Sequence, residues 1–426
     1  MAGNRSRRGF GLVEAMVTVG ITVVTMVGLL TMLEGATRVA KAETNAADAQ
    51  GSGRSGISYL TRILREARVG RLSYGSAILP YAENAAAGTT LTDAANTVHT
   101  LVPGTDAIEA HGIFGEGSAV FGPADVTCAG TPCTLGSSAI SVTIRQQTVT
   151  GYVNYPAGGA PAIASRTSPF YFVVSTSAPQ TIAVGTSSYV APLYVVGRVN
   201  ASAGSWYTTT SSTFTFTMDA TDSGARAFDA TADTDTLVAS PTTGGPVDAV
   251  VFFVDRGEAG AGSPAVYPHP FLAQATKDAA TGRWKVEEIA PDAEDFQVAY
   301  GIDGADGSAP DGGVDAARVS TLQNKDEWVS NVAGETLTVL QNPPRVEKFY
   351  DTSVPSAPPF PATAAPALRA ILVSLVTKSA APDVRYSGPG ALGMKTLDST
   401  ALSVSAANGR RYRRTAQTAT IGLRNF

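Results

Sequence analysis

Charge, histidine and cysteine are all scarce in this chain. Charged residues make up 16% of its 426 positions, against about 25% in an average soluble protein, and Ser, Thr, Ala and Gly take their place. Such a composition fits an exported, weakly charged, β-rich surface and argues against a cytosolic enzyme. The formal net charge is −5, so there is no global basic field to hold nucleic acid. The histidines, His99, His111 and His269, are scattered, and neither H-E-x-x-H nor G-x-S-x-G occurs, so nothing supports a metal or serine hydrolase. Cysteine occurs twice, as Cys128 and Cys133. A zinc site needs about four ligands, and the nearest histidine, His111, stands alone. Export would carry both thiols into an oxidising space, where a disulfide is the default. A loop this short contributes only about 2 kcal/mol by chain-entropy reasoning.

Proline and charge are missing altogether from Ala15 to Leu33, a run of 19 residues. As a helix it spans about 28 Å, close to the bilayer hydrocarbon thickness of about 30 Å. Arg5, Arg7 and Arg8 precede it, and the positive-inside rule leaves the N-terminus in the cytoplasm. Glu14 sits where the chain is already entering lipid. A lone carboxylate deep in a membrane costs about 2.5–3.5 kcal/mol, less near the interface, so a residue placed there implies a partner. A secretory signal also has a basic start and an apolar run, but its apolar core is shorter, and no Ala-x-Ala-like site follows Leu33 cleanly.

The stretch Gly9-Phe10-Gly-Leu12-Val-Glu14, behind a short basic leader, resembles the processing site of type IV prepilins. The matching residues are Gly9, Phe10, Leu12 and Glu14. The resemblance implies cleavage after Gly9 by a prepilin peptidase and N-methylation of Phe10. It also implies that Glu14 meets the freed amine of a neighbouring subunit's Phe10 as the helix enters a filament. A buried carboxylate is tolerated when a cation satisfies it.

Residues 10–70 read as one long helix, membrane-spanning from about 12 to 33, then a polar, Ala-rich stalk from Glu34 to Gln50 suited to solvent. Gly51, Gly53 and Gly56 predict a hinge or break. They also spell G-x-G-x-x-G, but a dinucleotide site needs a preceding strand and an acid about 20 positions on, where Gly70 and Arg71 lie. Ile57, Leu60, Ile63, Leu64 and Ala67 share one helical face, predicted to pack on the globular domain.

From Leu72 the signals switch to strands. They are predicted at 100–102, 108–113, 139–145, 148–155, 170–175, 189–199 and 212–219, then at 247–254, 284–289, 296–303 and 368–378, with a closing strand in the tail. Residues 71–134 and 246–426 form two parts of one β domain, and the Ser/Thr-rich 135–245 reads as an insertion ending at a turn-rich boundary, 241–246. In 368–378, Ile371, Val373, Leu375 and Thr377 share a face. Three further features invite chemistry. Asp303, Asp306, Asp311 and Asp315 lie in a Gly-rich run that can offer calcium its oxygens. The EF-hand spacing is broken by Pro310, and the alternative is a polar loop with turn geometry. Arg410, Arg411, Arg413 and Arg414 surround Tyr412 as a strand start with its charges exposed, meeting DNA phosphates or discouraging strand pairing. Trp206, Tyr207 and Tyr267 are candidate adhesive contacts in loops.

The runs at 103–108, 296–303, 368–379 and 423–425 look like PilW-type minor pilins and the related J-type pseudopilins of type II secretion. Compared with a major pilin the chain is far longer, its cysteines lie away from the C-terminus, and Gly20 and Gly28 replace a helix-bending proline. The resemblance therefore implies an α+β minor pilin, with a long N-terminal helix and an enlarged, mostly antiparallel β domain, that primes pilus assembly and joins the tip complex without catalysis or cofactor, calcium apart. Implied partners are the prepilin peptidase/methylase, other minor pilins and the major pilin through their N-terminal helices, a tip adhesin and the membrane, but not nucleic acid. The chain is expected to cross the inner membrane once, with its bulk outside the cytoplasm, and to reach the pilus or cell surface after assembly. The alternatives are a J-type pseudopilin and a membrane-tethered adhesin acting through 135–245.

Overall fold

The computed structural model describes residues 11–67, 78–82, 85–112, 114, 119–121, 125–128, 139–145, 162–176, 180–184, 187–191, 194–202, 204–210, 213–219, 242–257, 269–277, 283–303, 314, 328–329, 367–382, 391–392, 402–403 and 409–423. The fold is α+β. One helix, α1 (Leu12–Glu66), runs for 55 residues, about 80 Å of rise. The break expected at 51–56 does not occur. Ala49, Gly53, Gly56, Leu60, Ile63 and Leu64 are buried at helical spacing, so docking begins inside the segment expected to be solvent-exposed. Glycine serves close approach here. A Cβ on Gly56 would lie 2.9 Å from Leu375 Cδ2 and 3.0 Å from Ala290 Cβ, and one on Gly53 would lie 2.8 Å from Gln417 Cγ. Two hydroxyls pin the same stretch: Ser52 Oγ donates to the Pro291 carbonyl and Thr377 Oγ1 to the Ala49 carbonyl, each at 2.6 Å.

The strands, in chain order, are β1 (Ile78–Ala82), β2 (Thr90–Thr92), β3 (Val98–Thr100), β4 (Ala107–Gly112), β5 (Ala119–Phe121), β6 (Val126–Cys128), β7 (Ala139–Arg145), β8 (Phe170–Thr176), β9 (Gln180–Val184), β10 (Ser187–Ala191) and β11 (Tyr194–Val199). There follow β12 (Tyr207–Thr209), β13 (Thr213–Asp219), β14 (Thr242–Asp255), β15 (Phe271–Lys277), β16 (Trp284–Pro291), β17 (Ala293–Asp303), β18 (Trp328–Val329), β19 (Ala367–Lys378), β20 (Ala391–Leu392), β21 (Leu402–Ser403) and β22 (Arg414–Gly422). The ladder β1-β4-β14-β8-β11-β13-β7-β6 is joined by β5, β12, β15 and β16, and a second sheet runs β18-β17-β19-β22. All the strand pairings between these elements are antiparallel. The strand expected at 189–199 is two strands, β10 and β11. The stretch 148–155 lies outside the described residues.

β14 joins two sets of partners. Thr242–Val247 pairs with β8, while Asp248–Phe253 pairs with β4 and Val250–Asp255 with β15. Thr242 to Pro246, expected as a boundary turn, is therefore strand, and the change of partners comes just after it, between Val247 and Asp248. Its apolar half is buried on both faces. Val250, Phe252 and Val254 join Leu60 and Leu64 of α1, Leu272, Phe296, Ile371, Leu375 and Ile421 in one core. Val251 and Phe253 turn the other way, onto Leu91, Leu101, Ala107, Ala273 and Ala275. The main core thus unites the helix with both sheets. The turn before β4 is tied to β17 as well. Asp106 N donates to the Phe296 carbonyl, Val298 N donates to Asp106 Oδ2, both at 2.8 Å, and Gln297 Nε2 donates to the Gly104 carbonyl at 2.9 Å.

Removing glycine separates propensity from packing. A methyl group added at Gly51 would meet nothing within 4 Å, so Gly51→Ala should stabilise the protein by about 0.5–1 kcal/mol through helix propensity alone. Gly56→Ala should instead destabilise it by about 1 kcal/mol, because overpacking costs about 1–3 kcal/mol and outweighs that gain. Urea titration of the detergent-solubilised full chain checks the opposite signs.

His111, on β4, is 1% exposed, with Nε2 3.5 Å from Glu109 Oε1. Burial, helped by the charge of Lys277, lowers its pKa from the ordinary 6.5 to about 3. As pH falls through 6.5 the unfolded chain takes up a proton that the folded chain refuses, so stability is lost on acidification. At pH 5 the loss attributable to His111 should be about 2 kcal/mol relative to pH 8. Comparing the pH 5 and pH 8 stabilities of the parent with those of His111→Gln isolates it: the variant should show a pH difference smaller by that amount.

Candidate assembly site on the N-terminal helix

The first turns of α1 present apolar side chains to the outside. Leu12 is 80% exposed, Val24 74% and Met32 76%, and the most apolar 18-residue window has a mean hydropathy of 2.2 with none of it buried. Among the described residues α1 is the one helix long and apolar enough to cross a membrane. Its threonines are satisfied internally. Thr18 donates to the Glu14 carbonyl and Thr22 to that of Thr18, both at 2.7 Å, Thr25 to Ile21 at 2.5 Å and Thr31 to Gly28 at 2.8 Å. Such back-bonding removes the cost of a hydroxyl in hydrocarbon.

Glu14 is left as the polar exception. It lies in the first turn, three residues after the N-cap residue Gly11, and its Oε2 accepts the Gly11 N–H at 3.2 Å. The positive end of the helix dipole favours a carboxylate there. Oε1 accepts no hydrogen bond among the described residues, so the carboxylate keeps capacity for an external donor, and an ammonium group is the donor that would also neutralise it. Leu12, two residues before Glu14 and likewise exposed, completes what the structure shows of the motif. Arg5, Arg7, Arg8, Gly9 and Phe10 lie outside the described residues.

Farther along, α1 turns from exposed to docked. Glu34 and Arg38 form an ion pair on its surface, and from Ala49 onward it rests on β16, β19 and β22. Of the face predicted from Ile57, Leu60, Ile63, Leu64 and Ala67, the last four are buried and Ile57 is half-buried against the same core. On β19, Ile371, Val373, Leu375 and Thr377 are buried, and so are Ser374, Val376 and Lys378 behind them. The sheet that holds the helix is therefore covered on both sides at this strand.

The remaining candidates fall elsewhere. Cys128 ends β6 and Asp303 ends β17, while Cys133, Asp306, Asp311, Asp315 and Tyr267 lie outside the described residues. Among the described residues no group of three or more His, Cys, Asp or Glu is placed to hold a metal. His99 is held by Asp255 at 2.5 Å and approaches Asp93 at 3.5 Å, and His269 contacts Asp292 at 2.9 Å. The arginine cluster is divided. Arg410 and Arg411 are exposed on a 3-10 turn, but Arg414 turns inward to grip Glu294 through both carboxylate oxygens at 2.5 and 3.1 Å. Lys378 joins that carboxylate at 3.4 Å and lies 5.0 Å over the buried Tyr412 ring. The exposed strand start expected there is instead an inward-facing ion pair, because β22 must close against the β17–β19 pair. Trp206 packs edge-on to Phe170, Phe214 and Phe216, and Tyr207 lies 4.6 Å from the Phe214 ring. Both aromatics pack against β8 and β13 of the large ladder rather than standing as loop contacts.

Sequence reasoning missed the seating role of Gly53, Gly56 and Thr377. Its one signal was small residues, Ala49, Gly53 and Gly56, at the spacing of the face that Leu60 and Leu64 continue. No curated protein and no solved structure matches this chain. Residues 251–425 match the family model described as Type IV Pilus-assembly protein W. The match covers the end of β14 through β22, including the strands that seat α1, and it supports a type IV pilus-associated family and a role in pilus assembly.

Proposed function

We propose that this chain is a minor type IV pilin, a non-catalytic subunit that helps prime filament assembly and takes a place in the tip complex. The observation that carries this reading is the division of α1. Its proximal half offers a bare apolar rod bearing one carboxylate, and its distal half is locked to strands within the pilus-assembly match. Such a helix has two environments open to it, lipid and the apolar centre of a bundle of like helices. Partition between them moves the subunit from membrane to filament. Glu14 then sets the axial register, since a buried polar group is met only where a cation stands opposite. Peptidase cleavage after Gly9 supplies that cation as the methylated amine of Phe10 on a neighbouring minor or major pilin. Arg5, Arg7 and Arg8 hold the uncut leader in the cytoplasm and leave the β domain on the far side of the inner membrane. A tip adhesin is the partner that a subunit in this place would meet.

Glu14→Ala should leave the amount of membrane-embedded protein unchanged and lower its incorporation into sheared filaments at least about tenfold, since an unpaired buried charge costs about 3–5 kcal/mol. Equal incorporation of parent and variant would refute the register role. Intact mass of the assembled protein should correspond to a chain starting at N-methylated Phe10. Retention of Met1 to Gly9 would end the pilin reading.

A further inference from the structure

The solvent face of α1 carries a second feature that the seating of the helix does not use. Arg54, Ser58, Arg62 and Arg65 are exposed and stand at i, i+4, i+8 and i+11, on one side of the helix. That side lies opposite Gly53, Gly56, Leu60 and Leu64, which face the strands. None of the three guanidinium groups has a carboxylate partner among the described residues, whereas Arg38, Arg145, Arg166 and Arg414 are each paired with an acid. Arg62 lies 4.9 Å over the Tyr59 ring. Ser58, Thr61, Arg62, Arg65 and Glu66 line an open groove of about 550 Å³. Among the described residues Glu66 is the one acid in that lining, which is therefore net basic on a chain whose total charge is −5.

Anionic lipid is too far away to be the target. With the span ending at Leu33, Arg54 stands about 30 Å and Arg65 about 48 Å farther along the helix, and screening cuts the field of head groups within about 8 Å at physiological salt. Nucleic acid is a poor match for three cations on an acidic chain, because its binding grows with the number of phosphates neutralised. Carboxylates suit the site, since arginine forks bind them bidentately.

We propose that the face formed by Arg54, Ser58, Arg62 and Arg65 docks an acidic surface of a different protein subunit in the assembly. The proposal takes its setting from the pilin reading and its chemistry from this face alone. The docked partner covers a helix surface that the described residues of the fold leave exposed, so association requires no rearrangement of the described strands. Paired charges at such a surface set partner choice and encounter rate.

The test uses the full chain in its native membrane, with a photocrosslinking side chain at Ser58. Illumination should give an adduct with another protein, and the crosslinked peptide should be rich in Asp and Glu. The triple variant Arg54→Glu, Arg62→Glu, Arg65→Glu should lower the adduct at least about tenfold, with membrane level and melting temperature unchanged. If the reversed charges alter folding, the corresponding triple change to Gln decides: it should lose the adduct at parental stability, and its retention overturns the proposal. Adducts that ignore the triple variant, or that form only with lipid, with nucleic acid or with a second copy of this chain, overturn it too. Loss of this docking face with Glu14-dependent incorporation intact leaves the pilin reading standing. An adduct that survives while Glu14→Ala incorporates normally sinks the register role and keeps the docking face.

Discussion

The contact of Gly53 and Gly56 with Thr377, Gln417, Leu375 and Ala290 is the constraint that the rest of the molecule obeys. A helix carrying side chains at these two positions would stand off from β19 and β22. Leu60 and Leu64 could then not reach the core they share with Phe252, Phe296, Ile371 and Leu375. Ser52 and Thr377 lock the same approach by hydrogen bonds that run in opposite directions, one from the helix to the Pro291 carbonyl and one from the sheet to the Ala49 carbonyl. Helix interiors lose about 1 kcal/mol for each glycine, and here the close packing offsets that loss. The helix stays continuous because the sheet holds it, although its own sequence weakens it at this point.

Continuity has a mechanical consequence. A break at 51–56 would let the apolar rod swing relative to the β domain. An unbroken helix instead transmits the orientation of one to the other over the whole length of α1. Any displacement of the proximal half must then carry the β domain with it. The division of labour along a single helix follows from composition: large apolar side chains without partners among the described residues up to Leu33, small ones against the strands from Ala49, and large ones again in the core from Leu60. The exposed side of the distal half keeps three arginines with no acid opposite them among the described residues, so the apolar rod and the basic face lie on one element.

The β domain is organised to hold that helix. β14 carries apolar residues on both faces and gives each to a different core, while the turn before β4 is fastened to β17 through Asp106 and Gln297. β22 is closed onto the sheet by Arg414 and Lys378 converging on Glu294. A carboxylate shared by two cations at a partly buried site is well compensated, which explains why so polar a chain end can lie against β19. The aromatic group around Trp206 does the same for β8 and β13 without charge, through edge-on ring contacts.

The α+β class, the apolar rod with Glu14 at its start, the buried face of Leu60, Ile63 and Leu64, and, to within one residue at their starts, the strands read at 139–145, 212–219 and 368–378 were legible from the residues alone, since each rests on local periodicity or on the lengths of uninterrupted apolar runs. Nothing local could say that Gly53 and Gly56 meet a sheet more than 300 residues away, that Thr242 to Pro246 continue a strand, or that Arg414 turns in to Glu294. A glycine marks a hinge or a close approach with the same residue, and a prolonged strand or an inward arginine depends on partners that arrive from distant parts of the chain. The sequence by itself determined the apolar start of the helix and the strands with regular alternation, because those follow from neighbouring side chains. Only the tertiary structure decided which glycines are contacts and which charges are paired, because those follow from what the fold brings opposite them.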